Sequence, residues 1–162
     1  MNETIYKEEV DELKDDPRLI RMSSFPQHGS CDTYQHSLNV ARASMSIAKT
    51  LHIKVKEREM ARGAMLHDFY LYNIQESGLS AWRHGTGHPE VALKNAENEF
   101  ERTPREKNII YSHMWPLTLT HIPRCRESFI VSLADKYAAS KERLIQVYCF
   151  AGYLKRLILG IA

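Results

Sequence analysis

Apolar residues along the chain recur mainly at helical steps. From residue 32 to about 51, Tyr34, Leu38, Ala41, Met45, Ala48 and Leu51 fall three or four apart, the stripe of an amphipathic helix. Asp32 followed by Gln35 resembles a capping box at its start. A second helix is expected over about 55–68, carrying Met60, Ala64 and the Met65-Leu66 pair, with the dipeptide His67-Asp68 at its C-terminal end. Thr103-Pro104-Arg105-Glu106 combines an N-cap, a first-turn proline and a capping glutamate, so a helix should run from Pro104 to about Trp115, ahead of Pro116. Residues 3–15 predict a short helix ended by Pro17, 23–30 a loop containing Pro26 and Gly29, and 70–80 an irregular stretch. After His84-Gly85-Thr86-Gly87, the run His88-Pro89-Glu90 predicts a helix start with proline in the first turn, reaching to about Phe100. From 124 to 161 two helical patterns meet near Ala139-Ser140. The first has Phe129, Ile130, Leu133 and Tyr137 on one apolar face; the second ends in apolar residues that either cover the core or form a homodimer contact. No segment alternates convincingly, so the expected fold is all-α, a compact helical bundle.

Length and composition narrow the setting. A chain of 162 residues suits one domain spanning 1–162, with a motif-bearing core at about 25–140 and helices over 140–162 packed on it. At 43% hydrophobic and 26% charged it lacks the signature of disorder. Twenty-two basic against 20 acidic residues leave a net charge of +2, no strong signal for nucleic acid. Cys31, Cys125 and Cys149 are odd in number and form no CxxC, which argues against a disulfide framework or a thiolate zinc site and suits a reducing compartment. The first 16 residues hold no apolar targeting segment, and no run nears the roughly 18 apolar residues of a membrane span. A cytoplasmic protein without a membrane partner is expected.

Candidate chemistry lies in the histidines, of which there are eight. His36 sits near the start of the first long helix, His67-Asp68 closes the next, His88 opens another and His113 lies late in the Pro104 helix. Asp135 follows the apolar run Phe129-Ile130-Val131-Ser132-Leu133-Ala134. A carboxylate buried there needs a partner, because an unpaired buried charge is costly. A divalent cation held by imidazoles and carboxylates from several helices would supply one. Taken singly, each of these residues is better explained as hydrogen-bonded structure than as a ligand.

Taken together they resemble a known family. His36, then His67-Asp68, then Asp135, at separations of 31 (67−36) and 67 (135−68), is similar to the H…HD…D signature of the HD-domain phosphohydrolase superfamily. The contexts Tyr34-Gln35-His36-Ser37, Gly63-Ala64-Met65-Leu66-His67-Asp68 and Ser132-Leu133-Ala134-Asp135-Lys136 match as well. The resemblance covers about residues 25 to 140. It implies a metal-dependent phosphohydrolase using a divalent transition metal, with iron, manganese, zinc, nickel and cobalt all suited to such nitrogen and oxygen ligands. His88 and His113 look like the extra histidines of dinuclear members, which implies two ions. In that picture His36, His67 and Asp135 hold the first ion, His88 and His113 the second, and Asp68 bridges them. The subgroup often has one more histidine; His84 either fills that vacancy or meets substrate phosphate, and His28 is a more remote candidate.

Two cations bridged by a carboxylate supply a hydroxide near neutral pH. The expected reaction is therefore hydrolysis of a phosphomonoester or phosphodiester in a small nucleotide-like molecule. The leaving oxygen must meet a proton or positive charge; His84 is the first candidate for that catalytic role and Lys136 the second, although the lysine could as well reach solvent. Arg83, beside His84, is mildly preferred over Arg62, Arg124 and Arg126 as a phosphate contact. Tyr70, Tyr72, Trp82 and Trp115 are more readily core residues than base-stacking ones, and His52 and His121 read as solvated loop residues. Two alternatives stay open. One is a non-catalytic, metal-containing module for ligand sensing or partner binding, and the other a mononuclear nucleotidase in which His88 and His113 are caps or phosphate contacts.

Overall fold

The computed structural model describes residues 2–27 and 31–159, with 152–159 described for their backbone alone. Among the described residues the chain forms seven α-helices and no strand: α1 Glu3–Lys14, α2 Pro17–Ile20, α3 Thr33–Thr50, α4 Glu57–Leu66, α5 Ala81–Glu99, α6 Pro104–Ser112 and α7 Arg126–Leu159. A 3₁₀ turn, Arg21–Ser24, follows α2. The all-α class is as expected.

Local chemistry sets the helix starts. Asp32 accepts from Gln35 N at 2.7 Å, but the Gln35 side chain turns to Asn39, so only half of a capping box forms at α3. At α6 the box is complete: Thr103 accepts from Glu106 N, and Glu106 accepts from Thr103 N. α3 lies at the centre, packed against α4 and α7, and α6 bridges α4 and α7. Val40, Ala41, Met60, Leu66, Ile109, Ile110 and Val131 are fully buried between them. α4 and α6 approach closely because position 63 is glycine; a Cβ there would fall 2.6 Å from Ile109 Cγ2.

Two helices differ from expectation. α5 starts at Ala81, not near His88, because Ser80 caps it by accepting from Arg83 N. The stretch His84-Gly85-Thr86-Gly87 is thus helical, and Pro89 stands inside the helix, where it forgoes one backbone hydrogen bond. α7 is one helix, without the break expected at Ala139-Ser140; Ser140 bonds back to Lys136 O at 2.7 Å and the helix continues. Its buried face is Ser128, Ile130, Val131, Ala134, Asp135 and Ala138, whereas Phe129, Leu133 and Tyr137 are about half exposed. The small residues Ala134 and Ala138 occupy the packed side, and the large apolar ones do not. Residues 143–151 are all exposed, including Leu144, Ile145, Val147, Tyr148 and Phe150. Over that stretch the expected packing on the core does not occur, and the side chains beyond it lie outside the described residues. No described helix is long and apolar enough to cross a membrane.

Candidate metal centre

Five helices bring six side chains to one place. α3 supplies His36, the end of α4 presents His67 and Asp68, α5 gives His88, the end of α6 gives His113, and α7 gives Asp135. All six are buried. They fall into two groups with ligand geometry, His36 with His67 and Asp135, and Asp68 with His88 and His113.

The four imidazoles are oriented alike. His67 Nδ1 lies 2.8 Å from Ala64 O, His88 Nδ1 2.9 Å from His84 O, and His113 Nδ1 2.7 Å from Ile110 O. His36 Nδ1 lies 2.9 Å from Glu142 Oε2. Carbonyl and carboxylate oxygens only accept, so each Nδ1 carries the proton and donates it. In the neutral ring each Nε2 then holds a lone pair, and all four point inward. His88 Nε2 and His113 Nε2 meet at 2.7 Å, two lone pairs face to face. His36 Nε2 faces Asp135 Oδ1 at 3.1 Å, and the buried His67 Nε2 and Asp68 Oδ1 make no hydrogen bond. Such an arrangement is repulsive unless a proton or cation sits between the atoms.

Asp68 divides its oxygens between the groups. Oδ2 lies 3.4 Å from His67 Nε2 and 3.8 Å from His36 Nε2. Oδ1 lies 3.0 Å from His88 Nε2 and 3.4 Å from His113 Nε2. Ligands each about 2.1 Å from one ion lie about 3.0–3.4 Å apart; three of these four spacings fall in that range, and Asp68 faces both groups. The residues present fit a divalent metal, and each group has the three donor atoms to hold one.

The charges suit ligation. Burial alone would raise Asp68, but His67 and His88 hold it ionised, well below the usual carboxylate range. Asp135 is likewise lowered, by His36 and His67, against its burial. Burial pushes His67 down to about 4, against the pull of Asp68 and Asp135. His36 is raised to about 10: burial opposes this, and the hydrogen bonds to Asp135 and Glu142 outweigh it. A proton and a cation thus compete for its Nε2.

A cavity of about 510 Å³ opens beside the groups, lined by Asp68, His88, His113 and Asp135 and, further out, by His84, Ile74, Met114, Leu117 and Arg143. His84 stacks on His88 with ring centroids 4.6 Å apart, and its Nδ1 lies 2.8 Å from Tyr72 OH. Lys136 Nζ donates to His113 O at 2.8 Å and to Ser132 O and Oγ at 3.2 Å; with three donors so engaged, it braces the His113 turn. Burial lowers its pKa, in spite of Asp135.

The structure thus gathers His36, His67, Asp68, His88, His113 and Asp135, with His84 and Lys136 at the cavity wall. His28 lies outside the described residues. Trp82 is 64% exposed and away from the cavity, and Arg62 pairs with Glu9 and Glu106. His121 is buried and stacked on Tyr111 rather than solvated, while His52 is exposed. Three residues carried no signal in the sequence. Gln27 donates to Asp68 Oδ2 at 2.7 Å and accepts from Tyr70 OH. Glu142 bonds His36, and Arg143 lines the cavity. Only the i, i+7 spacing of Asp135 and Glu142 on one helix face could have pointed to the glutamate.

No curated protein and no solved structure matched the chain. The HD domain family model matches residues 33–140, two thirds of the chain and the segment that supplies all six side chains of the two groups. The chain belongs to the HD-domain superfamily of metal-dependent phosphohydrolases.

Proposed function

We propose that this chain, folded as one domain, is a two-ion phosphohydrolase acting on a small phosphomonoester or phosphodiester, nucleotide-like in size. The observation that carries this reading is the convergence of four imidazole Nε2 atoms on three carboxylate oxygens, with Asp68 presenting one oxygen to each group. Divalent ions bound there supply a nucleophile from water near neutral pH and neutralise charge on the phosphoryl group. The chain's own part is to hold the site rigid. Backbone carbonyls fix three imidazoles, Gln27 fixes Asp68, and Lys136 fixes the turn that carries His113. His84, on the cavity wall, protonates the leaving oxygen, and the engaged ammonium of Lys136 is the weaker candidate. A cavity of about 510 Å³ is in the range for a small metabolite, and Arg143 meets the part of it beyond the phosphoryl group.

A screen of phosphorylated metabolites with protein supplemented by manganese, iron, cobalt, nickel or zinc tests the proposal. Phosphate release from a small phosphoester, abolished by a chelator, is the expected result. Ion retention without hydrolysis of any of them would favour the ligand-sensing reading instead.

A further inference from the structure

The two ion pockets differ in what stands behind their imidazoles. Three of the four Nδ1 protons go to neutral backbone carbonyls three or four residues earlier on the same helix. His36 alone of the four donates to a side-chain carboxylate, Glu142 Oε2, at 2.9 Å. Glu142 is itself fixed, because Asn39 Nδ2 donates to its other oxygen at 2.8 Å, and its side chain is only 8% exposed. It lies two turns beyond Asp135 on α7, past the end of the family-matched segment 33–140. It therefore sits where that match does not reach. Burying a third carboxylate near Asp68 and Asp135 is unfavourable unless positive charge compensates it.

We infer that Glu142 is a positioning residue for His36 that makes the His36–His67–Asp135 pocket the tighter of the two ion sites. The carboxylate locks the His36 ring with Nε2 inward, makes that nitrogen a better donor to a cation and adds negative charge behind it. The His88–His113 pocket has Asp68 as its one carboxylate and no acid behind either ring. Ions should therefore load in order, the Glu142-backed pocket first. This rests on the two-ion reading above.

The test is a titration of stripped protein with cobalt(II) against a competing chromophoric chelator, comparing wild type, Glu142→Gln and Asn39→Ala. Wild type should bind two ions in two steps. Glu142→Gln keeps the side-chain shape and should weaken the first step roughly 10- to 100-fold, the usual loss when a ligand's supporting partner is removed, with the second step unchanged. Asn39→Ala, which frees Glu142 without removing its charge, should weaken that step by less. Equal affinity for the first ion in wild type and Glu142→Gln overturns the inference. So does equal weakening of both steps, which would mark Glu142 as a general structural residue. Wild type that binds only one ion defeats the two-ion reading itself.

Discussion

The two groups of the candidate site contain similar side chains but are built differently. The His36–His67–Asp135 group draws on three helices, has its own carboxylate and is backed by a further acid, Glu142. The His88–His113 pocket has two imidazoles fixed by backbone carbonyls and depends on Asp68 for its charge. The first has Asp135 as well as an oxygen of Asp68 facing it, and the second has Asp68 alone. Asp68 lies at the joint between them, with one oxygen facing each group.

The largest effect is expected from breaking that joint. Asp68→Ala removes the shared charge while leaving every imidazole, so the purified variant should retain neither ion and show no measurable phosphate release. Retention of one ion would mean that the first pocket holds its metal unaided and that the joint matters to the second alone.

His84 sharpens the comparison from the other side. Its ring stacks on His88 without belonging to either group. As a general acid it should, when replaced in His84→Ala, leave ion content unchanged and lower turnover roughly 10²- to 10⁴-fold. Nitrophenyl esters, whose leaving groups need little protonation, should show a smaller loss. An ion lost from this variant would instead make His84 a third imidazole of the second pocket and erase much of the asymmetry.

A smaller effect is expected where the helices under the two pockets touch. α4 leads into His67 and Asp68 and α6 into His113, and Gly63 lets the two helices approach over Ile109. In Gly63→Ala the new methyl would lie 2.6 Å from Ile109 Cγ2 and 2.8 Å from its Cβ, too close to remain. Overpacking of this kind costs about 1–3 kcal/mol, readable as a lower midpoint in urea unfolding. An unchanged midpoint would show that Ile109 gives way freely and that this contact does not set the helix spacing.

The same asymmetry explains what the sequence made legible. Ligands that close or cap helices, such as His67 and His113, and one carboxylate in an apolar run, Asp135, stand out because their residue types conflict with their surroundings. Helices α3 and α6 were readable from strong periodicity and caps. His88 is legible as a candidate ligand but not as a mid-helix residue, because Pro89 reads as a first-turn residue whereas the cap is Ser80. In α7 the large apolar residues Phe129, Leu133 and Tyr137 suggested the buried face, but close approach to α3 selects the small ones, Ala134 and Ala138. Gln27, Glu142 and Arg143 were not legible, since a glutamine in a loop and charges on a helix have ordinary solvated explanations. Only tertiary packing brings them to the site.

The account depends most on the claim that the six buried ligands form two ion sites. Elemental analysis of protein purified without chelator, set against protein concentration from absorbance, measures this directly. The two-ion proposal predicts about two transition-metal ions per chain, because five imidazole and carboxylate donors plus a carboxylate between the groups exceed what one ion takes with positions left for water and substrate. A value of about one, in folded protein with His88 and His113 intact, would contradict it.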